Sequence, residues 1–224
     1  MTASKLAAAL LVFVGLAASA SAATNPAVWS PTFTTTTAYG TFSGVDVTAV
    51  STSSSPFVGL MADRFAGGWD GTLTLDSSAM ALTASYVNGG DSQAFGFSAP
   101  LSEGLFYIEN FDSSSSAEII AHGATSLTLI DASSSISFTS LGANSGQLVT
   151  SNAGYDGEGD AVLQFSGDVT SIQVIYDGGE GANGIMYTFA EPGTEAVPEP
   201  TSALVVAGLF GIGGICGWRR RKKA

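Results

Sequence analysis

The stretch "DGEGD" sets Asp156, Glu158 and Asp160 at alternate positions in a glycine-bearing turn. Calcium takes about six to eight oxygen ligands, and alternating acids on a flexible loop can aim several carboxylates at one ion. The full Asp-x-Asp-x-Asp-Gly loop with its bidentate glutamate is missing, so solvated turn acids are the competing reading. Calcium at Asp156, Glu158 and Asp160 is the only cofactor these residues suggest. Further on, "DGGEGANG" spaces Gly179, Gly181 and Gly184 as a dinucleotide-binding loop would. That chemistry needs a helix N-terminus to hold pyrophosphate. The following "IMYTF" reads as a strand, and Asp177 and Glu180 would repel phosphate. A glycine-rich hairpin is the better reading.

His122 is the only histidine, and no Gly-x-Ser-x-Gly elbow accompanies it. A serine triad or a zinc site would lack its other members, so His122 reads as a surface or strand-end residue. Glu103 and Glu109 could form a glycosidase pair, which requires two carboxylates at a set separation. Sequence does not fix that separation, and no residue is assigned as catalytic. Aromatic side chains are the other lead. Trp29, Trp69, Tyr86, Tyr107 and Tyr155 could stack on sugar rings if exposed, though core aromatics are the ordinary case. The best of these is "FAGGWDG", where Trp69 sits among glycines and Asp70 can accept hydroxyl protons from a carbohydrate.

These residues need elements to position them, and helical periodicity is nearly absent between Thr24 and Ala196. Apolar residues alternate instead at Val45/Val47, Phe95/Phe97, Leu127/Leu129, Ile136/Phe138 and Ile172/Val174/Tyr176. Such period-two runs turn one face to a core and one to water. Turn clusters such as "NGGD" and "GANSG" separate them at the short intervals of a sandwich. The expected fold is all-β, with about ten strands in an antiparallel, jelly-roll-like β-sandwich. Its closing strands are Asp160 to Ser166, Ser171 to Asp177 and Ile185 to Ala190.

Charge narrows the function classes. Between Thr24 and Ala196 the only cation is Arg64, against eighteen acids, a formal charge of −17. No basic stripe exists to release phosphate counterions, which excludes nucleic acid as a partner. The only cysteine, Cys216, lies outside this body, so disulfides, thiolate zinc sites and cysteine nucleophiles are excluded there.

Both ends of the chain read as targeting segments. Residues 1–23 carry Lys5, an apolar run from Leu6 to Ala18 and small-residue cleavage sites at Ala18-Ser19-Ala20 and Ala20-Ser21-Ala22, the pattern of a signal peptide. The body spans 24–192 and a linker 193–197. Residues 201–218 follow, 18 in number and uncharged. As a helix they would extend about 27 Å, enough for a hydrocarbon core of about 30 Å. Arg219, Arg220, Arg221, Lys222 and Lys223 prefer the cytoplasmic side, which leaves the body outside.

Val197-Pro198-Glu199-Pro200, the apolar helix and the basic tail, taken together over 198–224, resemble the PEP-CTERM sorting signal, also called the ice-binding protein C-terminal domain. The resemblance implies recognition of Pro198, Glu199 and Pro200 by exosortase, a membrane transpeptidase-like protease, with the 219–223 cluster as retention signal. It implies transient anchoring in the inner membrane of a Gram-negative bacterium that makes exopolysaccharide, then release or transfer to the cell surface. The expected function is an exported, non-enzymatic surface or matrix protein that binds exopolysaccharide. The alternative is a secreted hydrolase acting on matrix polysaccharide.

Overall fold

The structure, a computed structural model, describes residues 25–52, 56–62, 75, 79–87, 89–111, 116–150, 159–178 and 182–193. These residues are all-β, with no helix among them. The strands are β1 (Val28–Trp29), β2 (Thr37–Phe42), β3 (Val45–Ser51), β4 (Phe57–Ala62), β5 (Met80–Ala84), β6 (Tyr86–Val87) and β7 (Ser92–Phe111). They continue as β8 (Ser116–Ala132), β9 (Ile136–Ser140), β10 (Ser145–Thr150), β11 (Gly159–Gly178), β12 (Ala182–Asn183) and β13 (Met186–Ala190). Eleven of them join one antiparallel sheet, and β6 with β12 forms a separate two-stranded ribbon.

Three long strands organise the sheet. The first part of β7 pairs with β3 and its last part with β13, while β11 pairs with β7 along both parts. Likewise β10 pairs only with the beginning of β8. Phe95 and Phe106 lie on these two parts of β7, eleven residues apart in sequence. On a straight strand they would be about 36 Å apart, yet their rings are 5.4 Å apart. The sheet therefore folds over on itself. A front half (β1, β2, β3, the start of β7, the end of β11, the start of β8, β10, β9) faces a back half (β4, β5, β13 and the other parts of the long strands).

The corner is made where the ladders break. Between β11 and β8 the register jumps from Gly167↔Ala124 to Ser171↔His122. Between β11 and β7 it jumps from Val169↔Leu101 to Ser171↔Gly96. Bulged residues sharpen twist and let a strand bend, and Pro100, which has no amide to donate, falls inside the bend. Asp160 to Ser166 and Ser171 to Asp177, read from the sequence as two strands, are thus parts of one. Where alternation suggests two packed sheets, the long strands carry a single sheet round the corner.

The core lies between the halves. Phe189 stacks on Phe42 at 5.6 Å and on Phe106 at 5.0 Å, and Phe97 reaches Phe165 at 6.5 Å. Trp29, only 5% exposed, packs on Phe95 and Phe189. The Ala27 amide just before it donates to the Phe189 carbonyl at 2.8 Å, so β1 ties the front half to β13. A second cluster joins Leu75 and Ala79, from the connection between β4 and β5, to Leu105, Tyr107, Val162 and Ala190. Where this cluster covers it the back half is buried on both faces, and all five residues of β13 are buried.

One polar group in this core has an avoidable cost. Thr83 is buried and its Oγ1 has no hydrogen-bond partner. A buried hydroxyl without a partner forfeits its hydration. Thr83→Val, of nearly equal shape, is expected to raise stability by about 0.5–1.5 kcal/mol in urea titrations; a loss of stability would mean that the hydroxyl is satisfied.

Candidate functional site

Of the calcium candidates, Asp156 and Glu158 lie outside the described residues, and Asp160 is buried. Asp160 Oδ1 accepts the Asn110 amide at 2.9 Å. The Asp160 amide donates to Ser133 Oγ at 2.9 Å, and its carbonyl accepts the Ser133 amide at 2.9 Å. Asn110 holds a positive φ of 60° and donates from Nδ2 to the Gly184 carbonyl at 3.3 Å. Asp160 thus fixes the end of β7 against the turn that precedes β9. Among the described residues no three His, Cys, Asp or Glu side chains gather as a metal site.

Trp69, Asp70, the expected sorting motif Pro198, Glu199 and Pro200, and the basic residues Arg219, Arg220, Arg221, Lys222 and Lys223 also lie outside the described residues. Trp29 and Tyr107, considered above as sugar-stacking rings, are core residues and cannot reach a ligand. His122 is exposed on β8, opposite Ser171. Glu103 is exposed and Glu109 fully buried on the same regular stretch of β7. Six residues of strand separate them by about 20 Å, far beyond the roughly 5–9.5 Å of a glycosidase pair. These two glutamates cannot act on one glycosidic bond.

A buried polar chain crosses the core from Tyr187 on β13 to the inner face of the front half. Tyr187 Oη donates to Gln93 Oε1 at 3.0 Å, and Gln93 Nε2 donates to Ser51 Oγ at 3.2 Å. Tyr187 has spent its single hydrogen on Gln93, so in its short contact with Tyr176 the Tyr176 hydroxyl is the donor. Burial pushes both hydroxyls well above the ordinary tyrosine range, with the Asp91 carboxylate adding to the rise at Tyr176. Below pH about 10 both states keep these protons and the full stability is present. Above it the unfolded chain ionises where the native chain resists. Each tyrosine is expected to cost about 1.4 kcal/mol per pH unit there. Denaturant titrations between pH 9 and 11.5 check this: the Tyr176→Phe/Tyr187→Phe double variant should lose that slope, and an unchanged slope would refute the assignment.

The other face of the front half is open. Inward positions such as Ala38, Val47, Phe95, Val174, Ile119 and Leu148 are buried, and in a strand the alternate positions must point away from them. Those outward positions are mostly threonine, serine, glutamine, small or aliphatic residues on β2, β3, β7, β11, β8, β10 and β9, with Tyr39 the aromatic among them. Asp46, Glu118 and His122 are the acids and bases among the outward residues whose side chains are described. Seven adjacent strands give the face a width of about 29 Å. Within a body of charge −17, the outward residues of β2, of the start of β7 and of Ser171–Ile175 on β11 carry no charge. The equivalent surface of the back half meets Leu75 and Ala79 instead.

The face holds Asp46 on β3 and Glu118 on β8 three strand spacings and about six residues of register apart, roughly 24 Å, too far to act together on one glycosidic bond. Its hydroxyl and amide groups are suited to many weak, simultaneous hydrogen bonds. Sequence reasoning missed the face because it looked for acids and tryptophans. The available signal was the uncharged polar residues at alternate positions, Thr37, Tyr39 and Thr41 in "TAYGTF" and Ser171 and Gln173 in "SIQVIY". Compared with known proteins, the chain matches no family model, no curated protein and no solved structure.

Proposed function

We propose that this is an exported, non-enzymatic cell-surface or extracellular-matrix protein whose body is a jelly-roll-like sandwich that binds exopolysaccharide. Export rests on the leader read in residues 1–23. Sorting rests on the resemblance of 198–224 to a PEP-CTERM signal, with exosortase as the processing partner. The observation that carries the binding role is the outer side of the front half, where β2, the start of β7 and Ser171–Ile175 of β11 present hydroxyl, amide and small side chains without charge, on a body dense in acid. Such a face offers donors and acceptors without the desolvation cost of burying charge against a neutral partner. Calcium at Asp156, Glu158 and Asp160 belongs to this proposal as an accessory ion.

The test uses the mature protein and exopolysaccharide purified from the producing strain. Co-sedimentation with the polysaccharide and no increase in reducing ends is the expected result. Release of reducing ends would replace this reading with the hydrolase alternative.

A further inference from the structure

We propose that an uncharged polysaccharide strand lies across the front face along one register row, Tyr39–Thr48–Gly96–Ser171–His122. This rests on the polysaccharide-binding reading above and names where and by what chemistry the chain is held. The four pairings Tyr39↔Thr48, Thr48↔Gly96, Gly96↔Ser171 and Ser171↔His122 place these residues side by side on β2, β3, β7, β11 and β8. The row spans about 19 Å.

Tyr39 is the one aromatic among the large apolar side chains exposed in the described residues, at 52%. Val28 on β1 and Val50 on β3, exposed at 68% and 48%, sit diagonally on either side of it. A ring flanked by two aliphatic side chains makes an apolar platform, and the C–H face of a sugar ring packs on such a surface. Thr48 and Ser171 bring hydroxyls that donate and accept, and His122 brings an imidazole at the far end.

Gly96 is the second, independent observation. Its φ is an ordinary one, and a Cβ built there would meet nothing closer than the Thr48 carbonyl oxygen at 3.9 Å. Neither backbone conformation nor packing within this chain calls for glycine. Glycine inside a strand weakens it and often marks close approach of a ligand. Here it keeps the centre of the row flat, between the two hydroxyls. The partner's charge follows from the rest of the body. With −17 on the body and no cation on the row, uronate- or sulfate-bearing chains are repelled, so the occupant is a neutral glycan.

The experiment measures binding of the full mature protein to neutral hexasaccharides (β-glucan, mannan and galactan) and to polygalacturonate, by calorimetry, beside Tyr39→Ala and Gly96→Val. A neutral oligosaccharide should bind, and each substitution should weaken it by about tenfold or more. Gly96→Val should melt no lower than the parent, since valine suits an open strand position, which separates a blocked site from a damaged fold. Parent-like binding by both variants would overturn the row while leaving polysaccharide binding intact. Preference for polygalacturonate would overturn the neutral-ligand assignment. Binding to none of the probes, with the native exopolysaccharide also unbound, would overturn both readings. A change in self-association on Gly96→Val, with glycan retention unaltered, would reassign the row to protein contact.

Discussion

Phe95→Ala is expected to cost about 3–5 kcal/mol, a large share of the roughly 5–15 kcal/mol that holds a domain together. The reason lies in what one ring joins. Phe95 sits on the front half, yet its ring meets Phe106 at 5.4 Å, Tyr187 at 5.3 Å and Phe189 at 5.5 Å, all on the back half. It also meets Trp29 at 6.3 Å. Truncation removes the transfer energy of the ring and leaves a cavity that two stiff sheet halves cannot close. Thermal denaturation should fall by about 10–15 °C for a domain of this size. Phe95→Leu, which keeps most of the volume, should cost far less. A loss below about 1 kcal/mol for Phe95→Ala would mean that the halves do not share this core.

Gly123→Ala is the other large effect, and it tests the corner rather than the core. Gly123 has φ +89°, a region that a side chain makes costly, and a Cβ there would overlap the Asp168 carbonyl oxygen. The obstacle is backbone, which cannot swing aside as a side chain can. Strain and overlap together are expected to cost roughly 3–5 kcal/mol. The same substitution at Gly96, where φ is ordinary and space is open, should be close to neutral. Urea titration of the two variants side by side checks the contrast. Equal stabilities would show that β8 does not turn tightly against β11 at Asp168.

Much of this arrangement is written plainly in the residues. Alternation marks Val47, Phe95, Leu127, Ile172 and Val174 as inward-facing, and these are buried, while Val45, Phe97, Leu129, Ile136 and Phe138, from the same pattern, pack against the core partly buried. Alternation fails at "LFYIENF", where Leu105 to Glu109 are buried without interruption. There the sheet is covered on both sides, and a strand buried on both faces loses its period of two. The corner was hidden for a related reason. A bulge is a local mismatch between two strands, and one strand's sequence shows only Gly167-Asp168 in the middle of β11, which reads as a turn. Asp160 was legible as an acid but not as a buried one, since its partners, Asn110 and Ser133, are 50 and 27 residues away. The front face was harder still. Its signature is a row of uncharged outward residues on neighbouring strands, which emerges only once register aligns Tyr39 with Ser171 across the sheet.

Under the proposed function residues 198–224 are a sorting label that is cut away from a folded cargo, and the mature C-terminus tests that proposal most directly. Cells with and without the sorting protease would be fractionated and the protein's ends read by mass spectrometry. The account predicts a surface or extracellular species lacking residues 1–23 and ending near Pro198–Pro200, replaced in the protease-deficient cells by a membrane-bound form that retains Arg219–Lys223. Full-length protein in the cytosol, with both ends intact in either strain, would contradict it.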